Sequence, residues 1–215
     1  MGYTVKEIFY SLQGEGAHSG RTAVFCRFAG CNLWSGLEKD REFAECRFCD
    51  TDFVNLDQDT GGKFDSALQL FERVSSFWPV NSSNHYLGRP FVVFTGGEPA
   101  LQLGEDLVQL FNNAGFETAV ETNGTLNLPS NLDWVCVSPK ANTEVKIRSG
   151  KELKLIFPQD MLDPVEFEHW DFEHFFLQPK SGDNYQENLR AAVNFCLQNP
   201  NWRLGLQVHK FLDIP

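Results

Sequence analysis

The chain has 215 residues, of which 42% are hydrophobic and 13% aromatic, and 29 acidic side chains outnumber 18 Lys and Arg for a net charge of -11. An acidic balance of this size excludes a broad phosphate-binding face, so nucleic acid is not expected as a partner. The length suits one well-buried domain, and no linker, composition shift or repeat divides it, so 1–215 reads as a single domain.

Neither a signal-peptide pattern near the start nor an apolar run long enough to span a bilayer is present. A cytoplasmic location with reduced cysteines and no membrane partner is therefore expected.

Short runs rich in Val, Phe and Ile predict strands near 5–10, 22–29, 91–95, 117–121, 134–137, 153–157, 174–178 and 203–208. Helical patterns lie between several of them, at 64–78, 105–114 and 184–197. Strands alternating with helices imply parallel pairing through right-handed crossovers, hence an α/β fold with a sheet or partial parallel β/α barrel. In such folds the working loops leave the carboxyl ends of the strands.

The polar motifs fall at the ends of these runs. Gln13-Gly14-Glu15-Gly16 follows the first, Arg27 lies in the second, and Thr95-Gly96-Gly97-Glu98-Pro99 follows the third. Glu121-Thr122-Asn123-Gly124, Ser138-Pro139-Lys140 and Gln178-Pro179-Lys180-Ser181 follow later ones. Gly96 and Gly97 let backbone approach a ligand, Glu98 offers a carboxylate to an ammonium, and Arg27, Lys140 and Lys180 offer cations to an anion. Taken alone, Gly-Gly-Glu-Pro also reads as an ordinary turn before a helix.

Cys31, Cys46 and Cys49 form the strongest cluster, with fourteen residues between the first two and a Cys-Arg-Phe-Cys ending. Three thiolates are one donor short of a closed tetrahedral site, leaving a bound metal an open position. A structural zinc ion with Asp50 or a histidine as fourth ligand is the alternative. Cys26, Cys136 and Cys196 lie in apolar runs and read as small buried hydrophobes. His18, His85, His169, His174 and His209 show no paired-ligand spacing and read as surface or satisfied buried side chains. The glycines at 14, 16 and 20 miss the dinucleotide fingerprint, and neither a Walker A lysine nor a nucleophile elbow occurs.

With these motifs assembled, the sequence resembles the radical S-adenosylmethionine superfamily and, within it, the 7-carboxy-7-deazaguanine synthases. The most specific elements are Phe28-Ala29-Gly30-Cys31-Asn32-Leu33-Trp34, Cys46-Arg47-Phe48-Cys49-Asp50-Thr51 and Thr95-Gly96-Gly97-Glu98-Pro99, and the likeness runs from Ser11 to Lys210. Most of the superfamily has three residues between its first two cysteines. The resemblance therefore implies an extended cluster-binding loop at 31–49, an expansion that also occurs among these synthases.

The resemblance implies a 4Fe-4S cluster on Cys31, Cys46 and Cys49, with S-adenosylmethionine completing the fourth iron. It assigns S-adenosylmethionine contacts to Phe48, Gly97, Glu98, Ser138, Pro139, Lys140, Gln178, Pro179, Lys180 and Ser181. The implied reaction converts 6-carboxy-5,6,7,8-tetrahydropterin into 7-carboxy-7-deazaguanine and ammonia. Its radical chemistry belongs to the cofactor, so no side chain is named as catalytic. Leu12, Gln13, Gly14, Glu15, Arg27, Thr95 and the carboxylate of Pro215 are expected around the pterin, and Thr51 at a Mg2+ ion that orients it. A flavodoxin- or ferredoxin-like electron donor and a homodimer are the partners implied. The other readings are an activase-type radical enzyme that acts on a partner protein, and a non-enzymatic zinc-binding module.

Overall fold

Phe91-Val92-Val93-Phe94 is buried at every position, as a strand covered on both faces must be, and it sits inside a nine-stranded sheet. The computed structural model describes residues 2–215. In chain order the elements are β1 (Tyr3–Leu12), β2 (Thr22–Phe28), β3 (Gly62–Phe64), α1 (Ala67–Ser75), β4 (Phe91–Gly96), α2 (Glu105–Asn113), β5 (Glu117–Thr122) and β6 (Trp134–Val137). They continue with β7 (Ser149–Phe157), β8 (Asp171–Pro179), α3 (Tyr185–Gln198), β9 (Trp202–Leu204) and α4 (Val208–Leu212).

The sheet order is β3-β1-β2-β4-β5-β6-β7-β8-β9, with β3 and β9 as its two ends, so the sheet stays open. From β2 to β9 every neighbouring pair is parallel. This is the expected partial parallel β/α barrel, carrying two further strands at one edge.

Those two strands correct the expectation of uniform parallel pairing. β1 runs antiparallel to both β2 and β3; toward β2 this follows because residues 13–21 are too few for a crossover and close a hairpin instead. Leu12 pairs with Thr22, at the amino end of β2, so Gln13 to Gly16 leave the end opposite the glycine-rich turns. The loop reaches the cavity by folding inward rather than by standing on the same rim.

The helix expected over 64–78 starts later: Phe64 ends β3, and the Ser66 hydroxyl accepts from the Gln69 N–H at 3.2 Å as an N-cap. The strand expected over 203–208 is also shorter. Only Trp202–Leu204 pairs with β8, while Val208 opens α4 and its N–H donates to the Gly14 carbonyl at 2.9 Å. The tail is thereby drawn toward the hairpin loop.

Helices α1 and α2 press Leu70, Val74, Leu107, Val108 and Phe111 onto the face of β4 that carries Val92 and Phe94, all wholly buried, while Phe91 packs on the other face against His18 and Arg21. A second core gathers Leu153, Leu155, Leu177, Ala192 and Trp202 under α3. Cys26 is buried in the first core and Cys196 half-buried against the second, as expected of small hydrophobes.

The 31–49 loop and the residues just after it share a small core, Trp34, Ala44 and Phe53, with Cys31 and Cys49 packed against it. The Arg41 guanidinium lies 4.1 Å from the centre of the Trp34 ring and donates to the carbonyls of Arg47 (2.9 Å) and Cys49 (3.1 Å).

Phe111→Ala is expected to lower unfolding stability by about 3–5 kcal/mol, whereas Phe43→Ala, at a side chain 83% exposed, should stay within about 0.5 kcal/mol. Urea denaturation of both variants checks the contrast.

Candidate active site

A cavity of about 490 Å³ occupies the concave side of the sheet. At its rim, two turns touch. Gly96 takes φ +143°, and a Cβ there would lie 2.3 Å from the Phe28 carbonyl oxygen, while a Cβ on Gly97 would lie 2.1 Å from that of Gly30. Glycine at both places lets Glu98 N–H donate to Gly30 O at 2.9 Å, which sets Gly97 beside Cys31.

Cys31, Cys46 and Cys49 all line the cavity, as do Phe48 and Thr51. A hydrogen bond between Cys46 and Cys49 draws the Cys49 thiol down to about 6 and pushes Cys46 up, and burial raises Cys31. Asp50, considered above as the fourth ligand of a zinc ion, is instead ion-paired with Lys210 at 2.7 Å. Among the described residues, no three His, Cys, Asp or Glu side chains converge to hold a single metal ion. Three thiols around one cavity fit the residues that would hold an iron-sulfur cluster.

Of the residues expected around S-adenosylmethionine, Phe48, Gly97, Ser138, Lys140, Gln178, Pro179, Lys180 and Ser181 line the cavity. Glu98 and Pro139 are not part of its lining. The Glu98 side chain is wholly buried and accepts from Thr122 Oγ1 (2.7 Å), Asn123 N (2.8 Å) and Ala100 N (3.0 Å). Burial pushes its carboxyl upward against those hydrogen bonds. The carboxylate expected to meet an ammonium is thus engaged in holding the rim together. Pro139 is buried behind its turn, its carbonyl accepting from Gln159.

Lys140 Nζ donates to Ser138 Oγ (2.6 Å) and Ser138 O (2.7 Å), and burial lowers its affinity for the proton. Gln178 is 2% exposed; its amide nitrogen donates to Glu15 and its Oε1 is buried without a protein partner. An unpartnered buried acceptor in a cavity wall suits a ligand donor.

The residues expected around the pterin, Leu12, Gln13, Gly14, Glu15, Arg27, Thr95 and Pro215, all line the same cavity. Arg27 arrives paired, its Nε donating to Glu7 at 2.8 Å, and the Pro215 carbonyl accepts from Ser11 Oγ at 2.9 Å.

Sequence reasoning missed the charged floor. Lys154 of β7 lies against Glu15 and 3.1 Å from Glu121 of β5, while Glu152 accepts from Ala17 N (2.9 Å) and from the Cys136 thiol (3.4 Å). Cys136 is thus buried but lines the cavity, not merely a core hydrophobe. The available signal was alternation: in Glu152-Leu153-Lys154-Leu155 the charged side chains share one face of β7 and the leucines the other. His209 also lines the cavity, packed against Gly14, where the sequence reading gave it no role.

No protein-family model matches the chain. It is 52% identical over 214 residues to a 7-carboxy-7-deazaguanine synthase of Bradyrhizobium diazoefficiens and 53% identical over 215 residues to one of Bordetella pertussis, with 100% of each chain covered in both cases. The chain belongs to the 7-carboxy-7-deazaguanine synthase family. The crystal structure of QueE from Escherichia coli is similar to it at TM-score 0.70 and 27% identity, covering 97% of this chain and 95% of that one. The open sheet is accordingly the partial barrel of the radical S-adenosylmethionine type.

Burial opposes ionisation of Glu15, but Lys154 outweighs it and holds the carboxyl at about 2 against an ordinary 4.5. A folded-state value below the unfolded one adds stability that is fully present above about 4.5 and is lost as pH falls toward about 2. Acid unfolding of Glu15→Gln should lack that part of the slope.

Proposed function

We propose that the chain performs the reaction its family is named for, forming 7-carboxy-7-deazaguanine from 6-carboxy-5,6,7,8-tetrahydropterin with loss of ammonia, as a carbon-nitrogen lyase of queuosine and 7-deazapurine biosynthesis. The observation that carries this reading is the meeting of the three thiols with nearly every expected ligand contact around one cavity. Cys31, Cys46 and Cys49 are the residues that would hold a 4Fe-4S cluster. When bound, that cluster and S-adenosylmethionine supply the reductive cleavage that starts radical chemistry.

The chain's own residues bind and orient. The Gly97 backbone and the Ser138–Lys140 and Gln178–Ser181 turns hold S-adenosylmethionine, with Pro139 shaping its turn from behind. Leu12, Gln13, Gly14, Glu15, Thr95 and Pro215 surround the pterin, and Arg27 meets its carboxylate. The Thr51 hydroxyl, which lines the cavity, would be the protein ligand for a Mg2+ ion that orients the substrate.

The whole chain acts as one catalytic domain, supported by the single sheet that carries both ends of the site. Six free cysteines favour the reducing cytoplasm, and no helix of the described residues is long and apolar enough to cross a membrane. A flavodoxin- or ferredoxin-like donor supplies the electron. A second copy of the chain is the protein partner in this reading.

The test is anaerobic turnover of reconstituted protein with 6-carboxytetrahydropterin, S-adenosylmethionine, Mg2+ and a reductant, followed by mass spectrometry. Product with S-adenosylmethionine unconsumed is expected; 5'-deoxyadenosine without product would refute the substrate. Cys46→Ala should abolish S-adenosylmethionine cleavage, and a fully active variant would refute the triad.

A further inference from the structure

Three carboxylates crowd one ammonium at the cavity floor. Lys154 Nζ, on a side chain 4% exposed, lies against Glu15 Oε2 and 3.1 Å from Glu121 Oε2. Glu152 is engaged elsewhere, by Ala17 N and the Cys136 thiol. The other oxygens of the pair are fixed too: Glu15 Oε1 accepts from Gln178 (3.1 Å) and Gln207 (2.9 Å), and Glu121 Oε1 accepts from Gln13 (2.9 Å). Both carboxylates still line the cavity.

We propose that Lys154, which lines the cavity but spends its ammonium on two carboxylates, is a positioning residue that holds Glu15 and Glu121 together as an acceptor pair for the guanidine-like edge of the substrate. The proposal rests on the pterin reading above and adds Lys154 to the residues that shape the floor's recognition chemistry. Lys154 meets the Oε2 atom of both carboxylates, and Gln178, Gln207 and Gln13 hold the two Oε1 atoms, so neither carboxylate can turn away without breaking a hydrogen bond. The ammonium also removes the repulsion that two neighbouring buried carboxylates otherwise relieve by sharing a proton. A shared proton would turn one acceptor into a donor facing the substrate's own donors.

The charged and titratable groups facing this cluster are Glu152 and Cys136 from the sheet, Lys140 from the rim and His209 from the tail. Burial pulls Lys154 toward losing its proton, but Glu121 and Glu15 hold it well above the ordinary lysine value. It therefore stays charged through the neutral range.

The experiment is calorimetric titration of 6-carboxytetrahydropterin into enzyme carrying cluster and S-adenosylmethionine, without reductant, from about pH 6 to about pH 9. Wild-type affinity is expected to be flat with pH. Lys154→Met should weaken pterin binding by at least about tenfold at neutral pH and recover as pH rises, while its S-adenosylmethionine affinity is unchanged. Lys154→Arg should restore the flat profile.

If Lys154→Met does not fold, Lys154→Met/Glu121→Gln removes the like-charged pair. That variant should bind the pterin weakly, with no pH dependence. Wild-type affinity in Lys154→Met, or a parallel loss of both ligands without pH dependence, overturns the proposal, as does a double variant that retains full affinity. Wild-type protein that fails to bind the pterin overturns the substrate reading itself and removes the pair's ligand with it.

Discussion

Glu98 has no access to water, and each donor that meets its carboxylate belongs to a segment the site requires. Thr122 and Asn123 bring the end of β5, and Ala100 closes the turn after the glycines. Asn123 then donates to Asn32 at 3.0 Å, and Asn32 to Thr125 at 2.8 Å, carrying the polar chain to the root of the cysteine loop. A buried carboxylate left without such partners would cost several kcal/mol, so the arrangement of the rim is tied to their staying in place. The contact of Gly97 with Gly30 and Cys31 follows from this anchor.

The opposite end of the barrel is built by a different device. Because β1 turns back along β2, its loop is free to fold inward and deliver Gln13 and Glu15 to side chains of β5, β7 and β8. Gly16 takes φ +63°, and a Cβ there would fall 2.0 Å from Glu152 Oε1, so the close seating of the loop depends on that glycine. The tail ties both ends together: Gln207 reaches Glu15, and Lys210 reaches Asp50 and Ser181.

Most strands were legible because apolar runs covered on both faces leave a continuous pattern, and the three longer helices because their periodicity is amphipathic. The direction of β1 was not, since pairing sense depends on loop length and on which strand lies beside it. Residues 203–208 misled because an apolar run does not distinguish strand from tail once pairing ends at Leu204. At the site, motif residues at strand ends were found, whereas Lys154 lies inside an apolar run and was passed over as part of a strand. Glu98 was placed at the right turn, but the burial that directs its carboxylate inward is a tertiary fact.

The cysteine loop has a further consequence through its own packing. Trp34 meets Phe53 edge-on with ring centres 5.6 Å apart, and Arg41 braces the carbonyls of Arg47 and Cys49. In domains whose ligands are ordered only by metal, removing the metal melts the fold. Here apolar burial and carbonyl bracing shape the loop through groups other than sulfur. The shape of the loop therefore does not rest on sulfur ligation alone.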